Sequence, residues 1–247
     1  MSSPRSVGLP DGVRACLFDL DGVLTRTATV HMAAWKRTFD EFLRARDPAA
    51  PEFSQEDYNR HVDGKPRADG VRDFLASRGI TLPEGDPGDP PDAETVQAVA
   101  GRKNVLVLAE LDEHGVEVYE GSVRYLRAVR EAGLATAVVT ASANGEHVVS
   151  VGGFADLVDA RVDGVTAKRD GLRGKPAPDT FLAGARALSV EPGEAVVFED
   201  AIAGVAAGRA GNFASVVGVD RVGQADGLRA AGADVVVTDL AELLGRS

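Results

Sequence analysis

The sequence predicts an α/β fold: a doubly wound, Rossmann-like parallel sheet core with an all-helical domain inserted after the first strand. Three observations lead to this prediction. From about residue 115 onward, short apolar runs alternate with helical segments, which is typical of a parallel sheet covered on both faces. A further apolar run, Ala15–Phe18, lies near the N-terminus. Between these parts, residues 29–114 show helical patterning and contain no convincing strand.

The elements of the core are apolar runs bounded by turn-forming residues. Because crossovers between parallel strands are right-handed, they favour the doubly wound arrangement. The predicted strands are Ala15–Phe18, 134–140, 157–162, 195–198, 214–219 and 234–237. The predicted helices of the core are 122–132, 146–152, 180–188, Ile202–Ala210, 223–231 and 240–244.

The inserted segment reads as a bundle of helices around one loop rich in Pro, Gly and Asp. Its predicted helices are 30–46, 55–62, 67–78 and 92–113, and the loop is 82–92. We therefore assign residues 1–28 and 115–247 to the core and residues 29–114 to a helical cap domain. A cap that follows the first strand could exclude water from a reaction at the end of that strand.

The composition limits the classes of binding partner and the cellular compartment that we expect for this protein. The 247 residues carry a net charge of −11, which argues against nucleic acid or an anionic membrane as the main partner. A single cysteine, Cys16, fits a reducing cytosol. No apolar run is long enough to span a bilayer, and residues 1–12 lack the apolar segment of a secretion signal. We therefore expect a cytoplasmic monomer.

The first strand ends in the most informative motif of the chain, Asp19-Leu20-Asp21-Gly22. Two carboxylates two residues apart lie on the same side of an extended chain, and the glycine allows a sharp turn out of the sheet. One carboxylate could attack an electrophile while the other transfers a proton. The alternative is a solvated acidic turn.

The second strand ends in Thr140-Ala141-Ser142-Ala143-Asn144. Hydroxyl groups at a strand end, followed by the free N–H groups of a helix N-terminus, can bind phosphate. The alternative is that Ser142 or Asn144 is an ordinary helix cap.

Two further motifs follow later strands. In Gly174-Lys175-Pro176, proline stiffens the turn that carries the lysine, whose ammonium could neutralise both a phosphate and an attacking carboxylate; a lysine in a structural loop is the alternative. Strand 195–198 ends in Glu199-Asp200. Adjacent carboxylates repel each other unless a cation is bound, and oxygen ligands suit Mg²⁺.

The order of these motifs, each at the C-terminal end of a strand, places them around one crevice. In this order the chain resembles the haloacid dehalogenase superfamily, with the cap placed as in subfamily I. Within that superfamily it is most similar to β-phosphoglucomutases and the related actinobacterial hydrolases. The resemblance extends from about residue 13 to residue 244.

The resemblance implies a role for each matching residue of the core. Asp19 would be the nucleophile that forms an aspartyl-phosphate, and Asp21 the general acid and base. The implied Mg²⁺ ligands are Asp19, the Asp21 carbonyl group, Glu199 and Asp200. The residues implied to bind the substrate's phosphoryl group or its surroundings are Thr140, Ala141, Ser142, Asn144 and Lys175.

The cap carries patterns that resemble those of the mutases. Thr27, His31 and Trp35 are spaced by one helical turn and share a face, where they could contact the substrate or simply pack. Arg67 ends a Gly-x-x-Arg loop that would bind the distal phosphate of a bisphosphate. Lys103 and Asn104 would face the sugar. For Arg67 and Lys103 the alternative is that they are solvated surface cations.

Three departures from the mutase pattern bear on the reaction. Ala143 stands where mutases have a lysine beside the distal phosphate, and Ala201 stands where they have a serine. The segment 161–173 is longer and more charged than in compact mutases. The missing cation at Ala143 weakens the case for handling a bisphosphate.

The function we expect is Mg²⁺-dependent phosphoryl transfer on a small sugar phosphate through an aspartyl-phosphate, as in a β-phosphoglucomutase that converts β-glucose 1-phosphate to glucose 6-phosphate. The main alternative is a sugar-phosphate phosphatase. A catalytically idle binding module and a dehalogenase in which Asp19 attacks carbon are weaker alternatives.

Overall fold

The computed structural model describes residues 7–245. Residues 1–6, the first half of the leader segment 1–12, lie outside the described residues, and so does the expectation for them. The chain builds a six-stranded, wholly parallel sheet with the strand order β3-β2-β1-β4-β5-β6, which confirms the predicted doubly wound core. The strands are β1 Ala15–Phe18, β2 Ala135–Val139, β3 Ala160–Val162, β4 Ala195–Glu199, β5 Ser215–Val219 and β6 Val235–Val237.

Strand β1 lies at the centre of the sheet, between β2 and β4. Ala15 pairs with Ala135 on one side and with Ala195 on the other. A strand buried on both faces needs apolar side chains in continuous succession, and all four residues of β1 are fully buried. The chain topology therefore places whatever follows β1 in the middle of the carboxyl edge of the sheet.

Helices cover both faces of the sheet. Alternate strand residues such as Leu17 and Val197 pack with Phe181 of one face. On the other face, the ring of Phe18 stacks on Phe198 at 4.5 Å, and Tyr125 packs edge-on against both. The helices of this unit are α5 Glu120–Glu131, α6 Gly145–Val151, α7 Gly164–Arg169, α8 Asp179–Ala187, α9 Ile202–Ala210 and α10 Ala225–Ala231.

The main addition to the predicted elements is α7, which lies in the charged segment 161–173. The Asp163 side chain accepts a hydrogen bond from the Thr166 N–H and so caps this helix. The predicted strand 157–162 begins only at Ala160, because Leu157 is the last residue of a 3₁₀ turn, Ala155–Leu157. The predicted terminal helix 240–244 is also a 3₁₀ turn, Leu240–Leu243.

The chain divides into two compact units, the second of which is Thr27–Gly115; we call it the inserted unit. Its regular elements within the described residues are all helices. Its α-helices are α1 Thr27–Arg46, α2 Gln55–Asp57, α3 Arg67–Ser77 and α4 Val96–His114. Helix α2 continues as a π-helical turn, Tyr58–Val62. Helix α4 begins four residues later than expected, because the Thr95 hydroxyl accepts from the Ala98 N–H and caps it there.

The core of the inserted unit is aromatic. The Phe39 ring lies 4.2 Å from Phe74 and 5.1 Å from Phe53. The Trp35 indole stacks on Phe39 at 4.9 Å and is 3% exposed. Its position in this core favours the packing alternative for Trp35, whose contact with a substrate stays a prediction.

The segments that flank the inserted unit pair with each other. Thr25 forms an antiparallel bridge with Val118, and the Tyr119 N–H donates to the Leu24 carbonyl group at 2.9 Å. The Arg26 N–H donates to the Glu117 carbonyl group at 2.8 Å.

Among the described residues, no helix has both the length and the apolar character needed to cross a bilayer.

Candidate active site

Three of the predicted core motifs lie at the carboxyl ends of β1, β2 and β4, which are neighbours in the sheet. This follows from the topology, since parallel strands bring their carboxyl ends to one edge. Contrary to the prediction, the Gly174-Lys175-Pro176 motif does not directly follow a strand but comes after α7, and its lysine side chain reaches the same edge at the Val139 carbonyl group. The structure brings Asp19, Lys175 and Glu199 into direct contact there. Their side chains are almost completely buried.

Lys175 joins two of the carboxylates. Its ammonium donates to Asp19 Oδ1 at 2.5 Å, to Glu199 Oε2 at 3.0 Å and to the Val139 carbonyl group at 3.3 Å. An ammonium has three N–H donors, so this arrangement uses all of them. Burial alone would lower the pKa of Lys175, but the carboxylates of Asp19 and Glu199 outweigh that effect and raise it. The lysine therefore stays charged.

The pKa of Asp19 is raised above the ordinary value of an aspartate. Burial raises this pKa most, Lys175 lowers it and the charge of Asp21 raises it, and together these effects bring it to about 6. A carboxylate with a pKa in this range is ionised at neutral pH, yet is less solvated than a surface carboxylate. Both properties suit a nucleophile.

Three carboxylates share the site: Asp19, Glu199 and Asp200. One oxygen from each lies within 4.8 Å of the others, and all three residues are buried. Lys175 supplies one positive charge against these three negative charges. Buried like charges at this separation are costly unless a cation compensates them, and a set of hard oxygen donors fits a divalent ion such as Mg²⁺. The donor set therefore fits the predicted metal.

Glycine permits the close approach of these carboxylates. Gly22 has a φ of +94°, and a Cβ atom there would lie 1.8 Å from Asp200 Oδ2. In α9, a Cβ atom at Gly204 would lie 1.8 Å from Glu199 Oε1. Side chains at either position would occupy the space that the carboxylates take.

Asp21 is oriented by Thr140 at the end of β2. The Thr140 hydroxyl donates to Asp21 Oδ2 at 3.1 Å and accepts from the Ser142 N–H at 3.0 Å. Thr140 is 2% exposed. The contact links the predicted general acid with the predicted phosphate-binding loop.

The loop 140–144 is held by its own hydroxyl groups. The Asn144 N–H donates to Ser142 Oγ at 3.2 Å, and Ser142 is buried. Within residues 7–245, the Ala141 N–H donates to no protein atom. A free, half-buried N–H beside Thr140 is suited to bind a phosphate oxygen.

Sequence reasoning missed the support of this loop by Gly164. The Gly164 N–H donates to the Ser142 carbonyl group at 2.9 Å, and a Cβ atom at Gly164 would lie 2.8 Å from the Ala141 oxygen. The available signal was an Asp-Gly pair at the end of the third strand, where a chain leaving the sheet beside the loop needs a residue without a side chain.

In the inserted unit, three of the predicted residues meet. Lys103 Nζ lies 2.8 Å from His31 Nδ1 and 5.1 Å from the centre of the Trp35 ring. A charged Lys103 ammonium can only donate, and it would require the tautomer of His31 that carries the ring proton on Nε2. Lys103 is 2% exposed, so it is not the solvated surface cation of the alternative interpretation.

The other predicted residues of this unit lie near that group or at a separate helix start. Thr27 is buried one turn before His31 on α1, and Asn104 follows Lys103 on α4. Arg67 begins α3. Partial burial lowers the pKa of its guanidinium, and no carboxylate within residues 7–245 forms an ion pair with it.

Comparisons with known proteins give a consistent result. Residues 13–212 match the family model of the haloacid dehalogenase-like hydrolases. The chain is 54% identical to a β-phosphoglucomutase of Mycobacterium tuberculosis, over 97% of this chain and 95% of that protein. It is 32% identical to a validoxylamine A 7'-phosphate phosphatase of Streptomyces hygroscopicus subsp. limoneus, over 93% and 95% of the two chains.

Among solved structures, a β-phosphoglucomutase from Clostridium difficile superposes with a TM-score of 0.76 at 25% sequence identity. The match covers 94% of this chain and 93% of that one. The likeness therefore includes the sheet and the inserted helical segment.

The close approach of Asp200 to Gly22 predicts the effect of a methyl group there. We expect Gly22→Ala to lower the free energy of unfolding by about 3 kcal/mol or more, because it combines backbone strain with a steric clash. Gly12→Ala is the control: Gly12 also has a positive φ, of +83°, but nothing lies within 4 Å of a Cβ atom there. Urea unfolding of both variants measures the difference, and equal losses would contradict the crowding argument.

The raised pKa of Asp19 predicts a pH dependence of stability in the metal-free protein. Its folded pKa of about 6 exceeds the ordinary value of 3.8, so between these values the folded state binds more protons than the unfolded state. This contribution is present at low pH and lost as pH rises through 6, amounting to roughly 2–3 kcal/mol. In EDTA, the free energy of unfolding of Asp19→Asn minus that of the wild type should therefore rise by this amount between pH 4 and 7.

The exposed carboxylate of Asp156 provides the control. For Asp156→Asn the same difference should stay within about 0.5 kcal/mol. A difference for Asp19→Asn that does not change with pH would show that its carboxyl group is not destabilised by burial.

Proposed function

The chain belongs to the haloacid dehalogenase-like hydrolases and is an enzyme of that family, and from this premise we propose that it transfers the phosphoryl group of a small sugar phosphate through an aspartyl-phosphate on Asp19. The observation that carries the proposal is the buried Asp19–Lys175 ion pair at the end of β1. It holds an ionised carboxylate among groups suited to bind phosphate.

In the proposed first step, an Asp19 carboxylate oxygen attacks phosphorus, and the bond from phosphorus to the sugar oxygen breaks. Asp21 gives its proton to that oxygen, and later removes a proton from the group that accepts the phosphoryl group. The contact with Thr140 Oγ1 at 3.1 Å supports this role, because it fixes the direction of the Asp21 carboxyl group.

The phosphoryl oxygens would be bound by the Ala141 N–H and by the loop around Ser142 and Asn144. Lys175 already uses its three donors on protein atoms. We therefore propose that it acts mainly by holding Asp19 and neutralising its charge, and that it binds phosphate only by giving up one of these contacts. Stabilisation of developing charge by such fixed groups is the largest contribution to many enzymatic rates.

We propose that Asp19, Asp200, Glu199 and the Asp21 carbonyl group hold Mg²⁺. When bound, Mg²⁺ would neutralise the charge of the phosphoryl group and of the clustered carboxylates. Glu199 shares one oxygen with Lys175, so its contribution to the metal would come from the other oxygen or through electrostatics. The charge imbalance of the buried carboxylates supports this assignment.

Arg67 is the proposed site for a second, non-reacting phosphate. The neighbouring Lys65 is neutralised by Asp73, whereas Arg67 has no such partner within the described chain. A half-buried guanidinium without a carboxylate is suited to bind a phosphate in a bidentate manner. His31, Lys103 and Asn104 would bind sugar hydroxyl groups, and Thr27 would support His31.

Two reactions share this chemistry. The 54% identity to a β-phosphoglucomutase supports conversion of β-glucose 1-phosphate to glucose 6-phosphate, in which a sugar hydroxyl accepts the phosphoryl group. Ala143 favours a phosphatase, in which water accepts it, because no cation at this position assists a second phosphate. The 32% identity to a validoxylamine A 7'-phosphate phosphatase over 93% of this chain supports this second candidate.

The experiment that tests the proposal is ³¹P NMR of the purified protein with Mg²⁺, β-glucose 1-phosphate and a trace of glucose 1,6-bisphosphate. Growth of a glucose 6-phosphate signal supports the mutase, and growth of inorganic phosphate alone supports the phosphatase. Asp19→Asn should abolish either signal. Turnover of the Asp19→Asn protein at the wild-type rate would contradict the aspartyl-phosphate mechanism.

We expect Arg67→Ala to raise the KM for the phosphorylated sugar at least tenfold, because a charge-assisted, bidentate contact with phosphate is worth about 1.5–3 kcal/mol. Arg60→Ala is the control, since Arg60 lies on the preceding turn, is exposed and pairs with Glu56. Steady-state kinetics measure both. An unchanged KM in Arg67→Ala would remove Arg67 from the binding site and leave the assignment of Asp19 intact.

A further inference from the structure

The loop between β5 and α10, residues 220–224, carries none of the motifs that identify the active site, yet it contacts the segments that bear the metal-binding carboxylates. We call it the β5 loop. Arg221 reaches the turn that follows Asp21, and Gln224 reaches the backbone of Asp200.

Arg221 binds two carbonyl groups in the turn that follows Asp21. Its Nε donates to the Gly22 carbonyl group at 2.9 Å, and its Nη2 lies 3.3 Å from the Val23 carbonyl group. Gly22 is also the residue at which a Cβ atom would meet the Asp200 carboxylate. The guanidinium thus holds the turn that begins at Gly22. This turn directly follows the Asp19-Leu20-Asp21 segment and lies against Asp200.

The rest of the guanidinium is fixed from other directions. Nη2 also lies 3.1 Å from Ser122 Oγ, and Nη1 donates to the Thr238 carbonyl group at 2.6 Å. The guanidinium stacks on the Tyr119 ring at 3.5 Å, and the Arg26 guanidinium lies 4.4 Å from the centre of the same ring. A planar group held on its edges and on its face has little freedom to move.

Most of these contacts are to backbone oxygens, and the nearest carboxylate oxygen in an ion pair with Arg221, Asp239 Oδ2, is 3.6 Å away. An arginine that served only as a counter-charge would be expected to pair with a carboxylate in a bidentate manner. The contacts of Arg221 instead fix the path of the chain at the turn after Asp21.

The β5 loop is itself stiff. Asp220 Oδ1 accepts hydrogen bonds from the N–H groups of Gly223 at 2.7 Å and Gln224 at 2.9 Å. The Gln224 side chain then donates to the Asp200 carbonyl group at 3.0 Å. The β5 loop therefore binds Gly22 through the Arg221 side chain and Asp200 through the Gln224 side chain.

We propose that Arg221 and Gln224 are positioning residues that set the spacing of the metal-binding carboxylates and thereby the affinity for Mg²⁺. The inference rests on the metal site of the proposed function. Mg²⁺ requires nearly ideal octahedral geometry with ligands at about 2.0–2.1 Å, so a shift of a few tenths of an ångström between the Asp21 turn and Asp200 weakens binding. Neither residue touches the groups proposed to bind the substrate.

The test is the affinity of the substrate-free protein for Mg²⁺, measured by isothermal titration calorimetry on the wild type, Gln224→Ala, Arg221→Lys and Arg221→Ala. We expect Gln224→Ala to bind Mg²⁺ several-fold more weakly. For Arg221→Ala the expected loss is 10- to 100-fold, the range seen when groups that orient metal ligands are removed. Arg221→Lys should fall between, because an ammonium cannot bridge two carbonyl groups and stack on Tyr119 at once.

Arg229→Ala is the matched control, since Arg229 lies on the adjacent helix α10 and forms an exposed ion pair with Asp226. It should bind Mg²⁺ as the wild type does. In turnover assays, the activity of Gln224→Ala and Arg221→Lys should approach the wild-type kcat at saturating Mg²⁺, with the KM for the sugar phosphate little changed. Added guanidinium ion should partly restore the Mg²⁺ affinity of Arg221→Ala.

Wild-type Mg²⁺ affinity in folded Gln224→Ala and Arg221→Lys proteins would overturn the positioning role, even if Arg221→Ala fails to fold. A kcat that stays low at saturating Mg²⁺ would also overturn it, because the residues would then act on the reaction in another way. Failure of the wild type to bind Mg²⁺ would instead contradict the metal assignment of the proposed function.

Discussion

The burial of several carboxylates around one lysine is the constraint on which the rest of the active site depends. Asp19, Glu199 and Asp200 are brought together because β1 and β4 are adjacent parallel strands. Removing them from water raises the energy of their charges. Each neighbouring feature lowers that energy or makes room for the charges: Lys175 bridges two of them, and Gly22 and Gly204 leave the space that their oxygens fill.

The inserted unit also contains a buried lysine, Lys103. Lys103 lies against the imidazole of His31 and the indole of Trp35. Contact with an imidazole nitrogen on one side and with an aromatic face on the other limits the movement of the Lys103 side chain.

Patterns of apolar residues were sufficient to predict the fold. The bounds of β1 and α9 were predicted to the residue, because each lies between clear turn signals. Helix α7 was not predicted, since its charged residues hide any periodicity and its start depends on the Asp163 cap. The core motifs were found because catalytic residues follow strands, whereas Arg221 and Gln224 act through backbone carbonyl groups, and such contacts leave no pattern of residue types. The two alternatives for Trp35, packing and substrate contact, differ only in what surrounds the ring. These surroundings depend on the three-dimensional packing and cannot be read from the sequence.

The bridge between Thr25 and Val118 has a consequence for how such a protein can diversify. It brings together the two points at which the helical segment leaves and re-enters the sheet-bearing part of the chain. A short turn could join these points without disturbing β1, as could a segment of quite different length. The helical segment is therefore exchangeable in evolution, and the residues that choose a substrate can change while the carboxylates that perform the chemistry are kept.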